Sequence, residues 1–389
     1  MSRGEIEMRD VYVIGVGQSI FGKLPQYSPI ILGAQAVKAA IKDAGIDPKM
    51  IQVAYGSRVL DATQTAQDVL KHVGIAGIDM HNVENACASG GTAVNLLWKD
   101  IAYGAYDIGI VVGCESMTTS HLAGQLVGTA KEDLNGTLGI TMPANAALIA
   151  RRMMATRGVT IEDLARASIK NHRNACLNPY AQYKKMLTLE DIMSARMISD
   201  PLTVLHCCPV TDGGAAAILC TGEIARRFTT KLVRIISSVV LSSDYEAWDE
   251  ELTDVPIMKK LAKRAYEKAG VGPEDLDLVE LHDAFSPEEL YSYEGLLLCP
   301  EGESIFLLRS GATEIGGKIP VNPSGGLLSL GHPLGASGVR VVCEITQHLR
   351  GEAGARQVQG AKVGMAQMVG GYLTGLSAPS VGAINILAI

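Results

Sequence analysis

Short apolar runs bounded by glycine alternate with amphipathic stretches along this chain. VYVIGVG (11–17), VAYG (53–56), AAAILC (215–220) and LVEL (278–281) read as buried strands. Residues 36–45 and 261–270 carry apolar positions at helical spacing and end at Gly45 and Gly270. TAVNLLWKDIAYG, which begins at Thr92, predicts another amphipathic helix. Strands alternating with helices place the chain in the α/β class.

The pattern also repeats. Aligning 36–53 with 261–278 at an offset of 225 superposes Ala40 on Ala265, Ala44 on Ala269, Gly45 on Gly270, Pro48 on Pro273 and Ile51 on Leu276. In each copy a helix ends at glycine, a proline turn follows, and a strand begins. Ala88-Ser89-Gly90 matches Ala336-Ser337-Gly338 at an offset of 248, so the second copy holds about 23 more residues between the landmarks. Two matches in one order predict a duplicated α/β half. Residues 119–204 differ in texture, with helical segments and loops, and read as an insertion on the first half. The expected units are 1–118 with 205–232, the inserted 119–204, and 233–389, without a Pro/Ser-rich linker.

Composition narrows the function. Hydrophobic residues are 47% and charged residues 19%, which excludes a disordered chain; 42 glycines with 5% aromatics suit tightly packed layers. A net charge of −7 argues against a nucleic-acid surface, which needs clustered Lys and Arg. The seven-residue apolar run behind the charged MSRGEIEMRD is too short for a membrane span and lacks a signal-peptide pattern, so a cytoplasmic location is expected. The eight cysteines are scattered, with no CxxC and no zinc spacing, and are expected to be thiols without a metal.

Three segments carry chemistry. In ENACASGG (84–91) a strand runs into a helix, which puts Cys87 at or just before the helix N-terminus. Free backbone N–H groups there favour a thiolate and can bind a developing oxyanion. A buried thiol packed at a tight turn fits the segment equally well. In NPSGGLLSLGHPLGASG (322–338), His332 stands between Gly331 and Pro333, where flanking glycines admit a ligand. It can take the Cys87 proton, or it can hold the loop by a hydrogen bond. In VELHDAF (279–285) an apolar strand delivers His282 and Asp283; the alternative is a capped turn, with Asp283 or Ser286 as N-cap of PEELYSYEGLL.

Together with VYVIGVGQSIFGK, GCESM, NPYAQY, PLTVLHCCPVTDGGAAA and the final pair Gly370-Gly371, these motifs resemble the thiolase superfamily over essentially the whole chain. They are most similar to the branch holding the sterol-carrier-protein-type and archaeal acetoacetyl-CoA thiolases. The resemblance implies two duplicated halves in an α-β-α-β-α layered core with an inserted loop domain. It implies an acyltransferase that cleaves or forms a 3-oxoacyl-CoA through an acyl-cysteine. Cys87 would take the acyl group. His332 would deprotonate it and, with His282, polarise the thioester whose enolate forms. The backbone N–H groups of Cys87 and Gly370 would hold the tetrahedral oxyanion, and Ser324, Gly325 and Phe285 would contact substrate.

Coenzyme A would be a substrate, with no permanently bound cofactor. The implied partners are a second copy, as a homodimer or dimer of dimers, and a small OB-fold zinc-ribbon subunit. Relatives with that subunit act on bulky or aromatic substrates such as 2-benzoylsuccinyl-CoA, or cleave side-chain CoA esters as retro-aldolases. A non-catalytic acyl-CoA-binding scaffold is the third reading. One departure matters. Many thiolases place a second, proton-carrying cysteine where this chain has Met368, and the sterol-carrier-type enzymes place one where it has Ala284. Cys207, Cys208, Cys299, Tyr291, Tyr293, Tyr372 or a water held by His282 are the candidates for its work.

Overall fold

The computed structural model describes residues 8–121, 134–243, 255–371 and 380–389. Its strands are β1 (Val11–Gln18), β2 (Val53–Ser57), β3 (Asp79–Val83), β4 (Ile108–Ser116), β5 (Met197–Ser199), β6 (Leu202–Thr203), β7 (Asp212–Thr221), β8 (Val233–Ser242), β9 (Leu278–Glu280), β10 (Val363–Gly370) and β11 (Val381–Ala388). The helices are α1 (Pro29–Ala44), α2 (Thr65–Lys71), α3 (Ser89–Ala102), α4 (Leu134–Thr137), α5 (Met142–Arg157), α6 (Ile161–Ala175), α7 (Leu189–Met193), α8 (Gly222–Phe228), α9 (Val255–Ala269), α10 (Ser286–Gly295), α11 (Ser304–Arg309) and α12 (Leu334–Leu349).

The main sheet runs β3-β2-β4-β7-β1-β8-β11-β10-β9. Only two residue pairs, Tyr12↔Arg234 and Val13↔Val233, join β1 to β8. On either side of that seam the pairing pattern is the same. β1–β7 and β7–β4 are antiparallel while β4–β2 and β2–β3 are parallel. Likewise β8–β11 and β11–β10 are antiparallel, β10–β9 is parallel, and Val279 bridges Val321 in parallel. The repeat in the sequence thus becomes a repeat in topology. Gly45 and Gly270 both take left-handed backbone, with φ of 65° and 71°, which ends α1 and α9 before the proline turns.

α1 packs on β1, β7 and β4, and α9 on β8 and β11. α3 and α12 pack on each other between the two sheet portions, which completes the layered order that the resemblance implied. Small residues permit this crossing: a Cβ on Gly90 would stand 2.6 Å from Val339 N, and one on Gly338 would stand 2.3 Å from Gly91 N. The two Ala-Ser-Gly segments matched in the sequence are therefore the ones that meet.

Within 119–204, the described part carries α4–α7 and the β5–β6 hairpin. α6 reaches under the second half. Lys170 donates to Val321 O at 2.6 Å and Asn174 to Asn322 O at 3.1 Å, and Asn178, just past the helix, donates to Ser324 O at 3.0 Å. These bonds anchor the glycine-rich loop that leads to His332. Among the described residues, no helix is long and apolar enough to cross a membrane.

Candidate active site

Cys87 sits two residues before α3, on a turn that is locked from within. Ala86 has φ 47°, a left-handed value rare for a residue with a side chain. Its N–H donates to Glu84 Oε1 at 2.7 Å, while Ser89 Oγ accepts from Asn85 N at 2.8 Å and donates to Ala86 O at 2.6 Å. Strain held by such bonding is typical of a residue aimed at a ligand. Gly370, at the end of β10, lies against this turn. A Cβ there would stand 2.4 Å from Asn85 O and 3.0 Å from Cys87 N, so only glycine brings the two backbones together.

His332 precedes α12. Its Nδ1 lies 2.9 Å from Ser337 Oγ, and that hydroxyl spends its one proton on Pro333 O at 3.0 Å. With that proton on the carbonyl the hydroxyl accepts from the ring, an assignment in which Nδ1 carries the hydrogen and Nε2 is the bare nitrogen. Nε2 is buried without a partner. Burial first, then the facing His282 and the cation of Arg340, push the His332 pKa well below its ordinary value. It is a neutral acceptor beside a thiol. Ser337→Ala frees the ring and its tautomer, and the alkylation rate of Cys87 by iodoacetamide is expected to fall about tenfold; an unchanged rate would refute this orienting role.

His282 follows β9 and meets His332 edge to face, with ring centroids 5.3 Å apart. One ring nitrogen of each histidine and Cys87 Sγ lie within 4.8 Å of one another. His282 Nδ1 is 3.1 Å from Glu288 Oε2, an ionic contact whose alignment falls short of a hydrogen bond. Burial pulls the His282 pKa down, but Glu288 and then Cys87 outweigh it and hold the imidazole well above its ordinary value. The two histidines are thus driven apart, one toward the cation and one toward the neutral ring.

The turn after His282 departs from the capped-turn alternative. Phe285, not Asp283 or Ser286, is the N-cap of α10. Glu288 accepts from Ala284 N at 2.8 Å and Phe285 N at 3.4 Å in its place. Asp283 is engaged elsewhere. It accepts from Leu327 N at 2.6 Å and Asn171 Nδ2 at 2.8 Å. Gly326 makes room for that carboxylate, since a Cβ there would stand 2.2 Å from Asp283 Oδ2. Glu288 and Asn171 were missed in the sequence; the acidic residue three places past the N-cap was the available signal for Glu288.

Cys87, His282, His332, Phe285, Glu288 and Gly370 line one cavity of about 220 Å³, whose remaining wall is mostly apolar, from Val59, Met117 and Met142 to Leu334 and Val369. Ser324 and Gly325 lie outside that lining. Ser324 is fully buried and bonds Glu280 and Arg340, and Gly325 packs on Ala175, so both brace the loop behind the cavity. Of the second-thiol candidates, Cys207 and Cys208 line the cavity while Cys299, Tyr291 and Tyr293 do not. Cys207 turns its thiol to Thr203 O at 3.5 Å, and burial pushes it up to about 12; burial also raises Cys208 well above the usual thiol range. Tyr293 donates to Glu289 at 2.5 Å. Tyr372 lies outside the described residues.

Comparison with known proteins matches this architecture. The family model described as thiolase, N-terminal domain, covers residues 11–223, and that described as thiolase C-terminal domain-like covers 242–378. The benzoylsuccinyl-CoA thiolase subunit BbsB of Thauera aromatica is 39% identical, over 93% of this chain and 95% of its own. An acetyl-CoA acetyltransferase of Methanothermobacter thermautotrophicus is 39% identical over 94% and 97%. Human sterol carrier protein 2 is 34% identical over 93% of this chain and 70% of its own. Among solved structures, the Ltp2-ChsH2(DUF35) aldolase superposes with a TM-score of 0.83 at 25% identity, covering 99% of each chain. Human mitochondrial 3-ketoacyl-CoA thiolase in complex with CoA shares the fold, with a TM-score of 0.75 at 20% identity and 98% coverage of each chain. The paired histidines around Cys87 and the two-halved sheet therefore belong to a member of the thiolase family, an acyltransferase enzyme acting on acyl-CoA.

Proposed function

We propose that the enzyme cleaves or forms an apolar or aromatic 3-oxoacyl-CoA, with Cys87 carrying the acyl group. The observation that carries this reading is a half-buried thiol beside the bare, buried Nε2 of His332 in one apolar cavity. His332 takes the Cys87 proton, and the thiolate attacks the ketone carbon. The backbone N–H groups of Cys87 and Gly370 hold the resulting oxyanion. The carbon–carbon bond then breaks, leaving acyl-Cys87 and the enolate of the shorter thioester, whose oxygen faces the two histidines. Coenzyme A attacks the acyl-cysteine and releases the second product.

An aromatic acyl group suits the cavity in size and chemistry. Voids of about 150 Å³ accept a benzene ring, and this one measures about 220 Å³. BbsB, by its name a subunit of benzoylsuccinyl-CoA thiolase, supports the same class.

BbsB, by its name a subunit, and the aldolase, by its title a pairing of Ltp2 with ChsH2(DUF35), support a partner subunit for this chain, and a small OB-fold zinc-ribbon protein is the partner proposed. Met186, Met193 and Met197 expose 64%, 42% and 52% of their surface on one stretch of chain, as a contact surface would. β3 ends the main sheet, and its outer edge, unpaired among the described residues, supports a second copy pairing there to make a dimer; a cytoplasmic location is proposed with it. Incubation with 3-oxo-3-phenylpropionyl-CoA, followed by digestion and mass spectrometry, should place a benzoyl adduct on the Cys87 peptide. Turnover that frees a ketone or aldehyde without added coenzyme A, with no adduct, would favour retro-aldol cleavage instead. The absence of any turnover would leave the scaffold reading.

A further inference from the structure

We propose that His282, held by Glu288, moves the proton at the α-carbon of the departing thioester, the task a second cysteine performs elsewhere. The proposal rests on the acyl-Cys87 reading. Its basis is geometric. Glu288 spans the turn after β9, accepting two backbone N–H groups, and meets His282 Nδ1 at 3.1 Å. The opposite nitrogen, Nε2, is buried with no nitrogen or oxygen partner, in the cavity that holds Cys87 and His332, and the Cys87 sulfur is the neighbour that interacts with the ring from there. Protonating the α-carbon of an enolate needs such a donor, facing the reacting atoms beside Cys87.

The other candidates are worse placed. Cys207 is turned to a carbonyl, Cys299 and Tyr293 lie outside the cavity lining, and His332 is the neutral base for Cys87. The charged and titratable groups around His282 are Glu288 from α10, Cys87 before α3, His332 before α12, and Asp283 on its own segment, with Cys207 and Cys208 in the same wall. Only Glu288 among them makes an ionic contact with the ring.

The steps balance. Cys87 gives its proton to His332 and bonds the ketone carbon. As the C–C bond breaks, its electron pair goes to the enolate. The His282 imidazolium gives its Nε2 proton to the α-carbon and becomes neutral. Coenzyme A then gives its thiol proton to His282 and bonds the acyl carbon, and Cys87 leaves and recovers its proton from His332. Glu288 is a positioning residue throughout, because it keeps His282 charged until the carbon needs the proton.

The test is single-turnover cleavage of 3-oxo-3-phenylpropionyl-CoA across a pH series, with Cys87 alkylation by iodoacetamide as the check on an intact site. Glu288→Gln keeps an acceptor for the Ala284 and Phe285 amides but loses the charge. It should cleave about 10²-fold more slowly with KM within about threefold. Because cleavage needs the imidazolium, its alkaline limb should move to lower pH by about one unit or more. Glu288→Asp should recover part of both, and it tests the proposal if the Gln variant fails to fold. An unmoved alkaline limb in Glu288→Gln, or loss of cleavage in Cys208→Ser with the Glu288 variant active, overturns it. Failure of the wild-type enzyme to acylate Cys87 overturns the functional reading instead, and the two outcomes are distinct.

Discussion

Cys87→Ala is expected to lower kcat for thiolytic cleavage by at least about 10⁴-fold, while the protein stays folded and still binds acyl-CoA. Loss of a covalent nucleophile removes the acyl intermediate itself, whereas losing one hydrogen-bond donor costs about 10²–10³-fold. Stability should change little. The turn is held by Glu84, Ser89 and backbone contacts rather than by the thiol. Chromatography of the CoA esters gives the rate, and a thermal melt checks the fold. If the alanine variant keeps more than about one percent of the wild-type rate, Cys87 is not the acyl carrier.

Arg340→Met carries the largest expected stability effect. Arg340 lies on α12 fully buried, and its guanidinium pairs with Glu280 at the end of β9 and donates to Ser324 Oγ at 2.9 Å. Removing the cation leaves Glu280 charged in the interior with only the Ser324 N–H and hydroxyl, at 2.9 and 2.7 Å. Breaking a buried pair from one side typically costs about 3–5 kcal/mol. Urea unfolding should show a loss of that size. The double change Arg340→Met/Glu280→Leu should restore much of it, since the uncompensated charge is then gone. A single variant within about 1 kcal/mol of wild type would mean that the pair carries no such weight.

The pair also shows how the site is braced. Glu280 precedes His282 by two residues, Ser324 lies in the loop to His332, and Arg340 is on the helix behind that loop. One buried cation thus ties together the strand end before His282, the loop to His332 and the helix that follows it. Asp283 does the same from the other side, through Leu327 N and Asn171.

Much of this was legible in the chain. The Gly45/Gly270 and Ala-Ser-Gly matches predicted the duplicated halves because helix stops and close helix crossings depend on residue type at single positions. Cys87 before a helix, and His332 among glycines, were readable for the same reason, since local backbone demands dictate local residue choice. The capped-turn alternative, with Asp283 or Ser286 as N-cap, does not hold at α10, where Phe285 is the N-cap. Asp283 and Ser286 both have capping side chains, and only the packing of α6 and the Gly326 turn diverts Asp283 to another task.

What the sequence by itself determined was the set of parts: the strand and helix order, the duplication, and a cysteine and two histidines on three separate segments. The tertiary structure decided which nitrogen of His332 is bare and which histidine is held as a cation. It also placed Cys207 and Cys208 in the cavity wall, and Ser324 and Gly325 behind it. Those properties arise from contacts between residues far apart in the chain, as between Arg340 and Glu280, 60 positions apart, or Asn171 and Asp283, 112 apart. Proton affinity in a buried site depends on which charges end up as neighbours, and that is set only when the layers close.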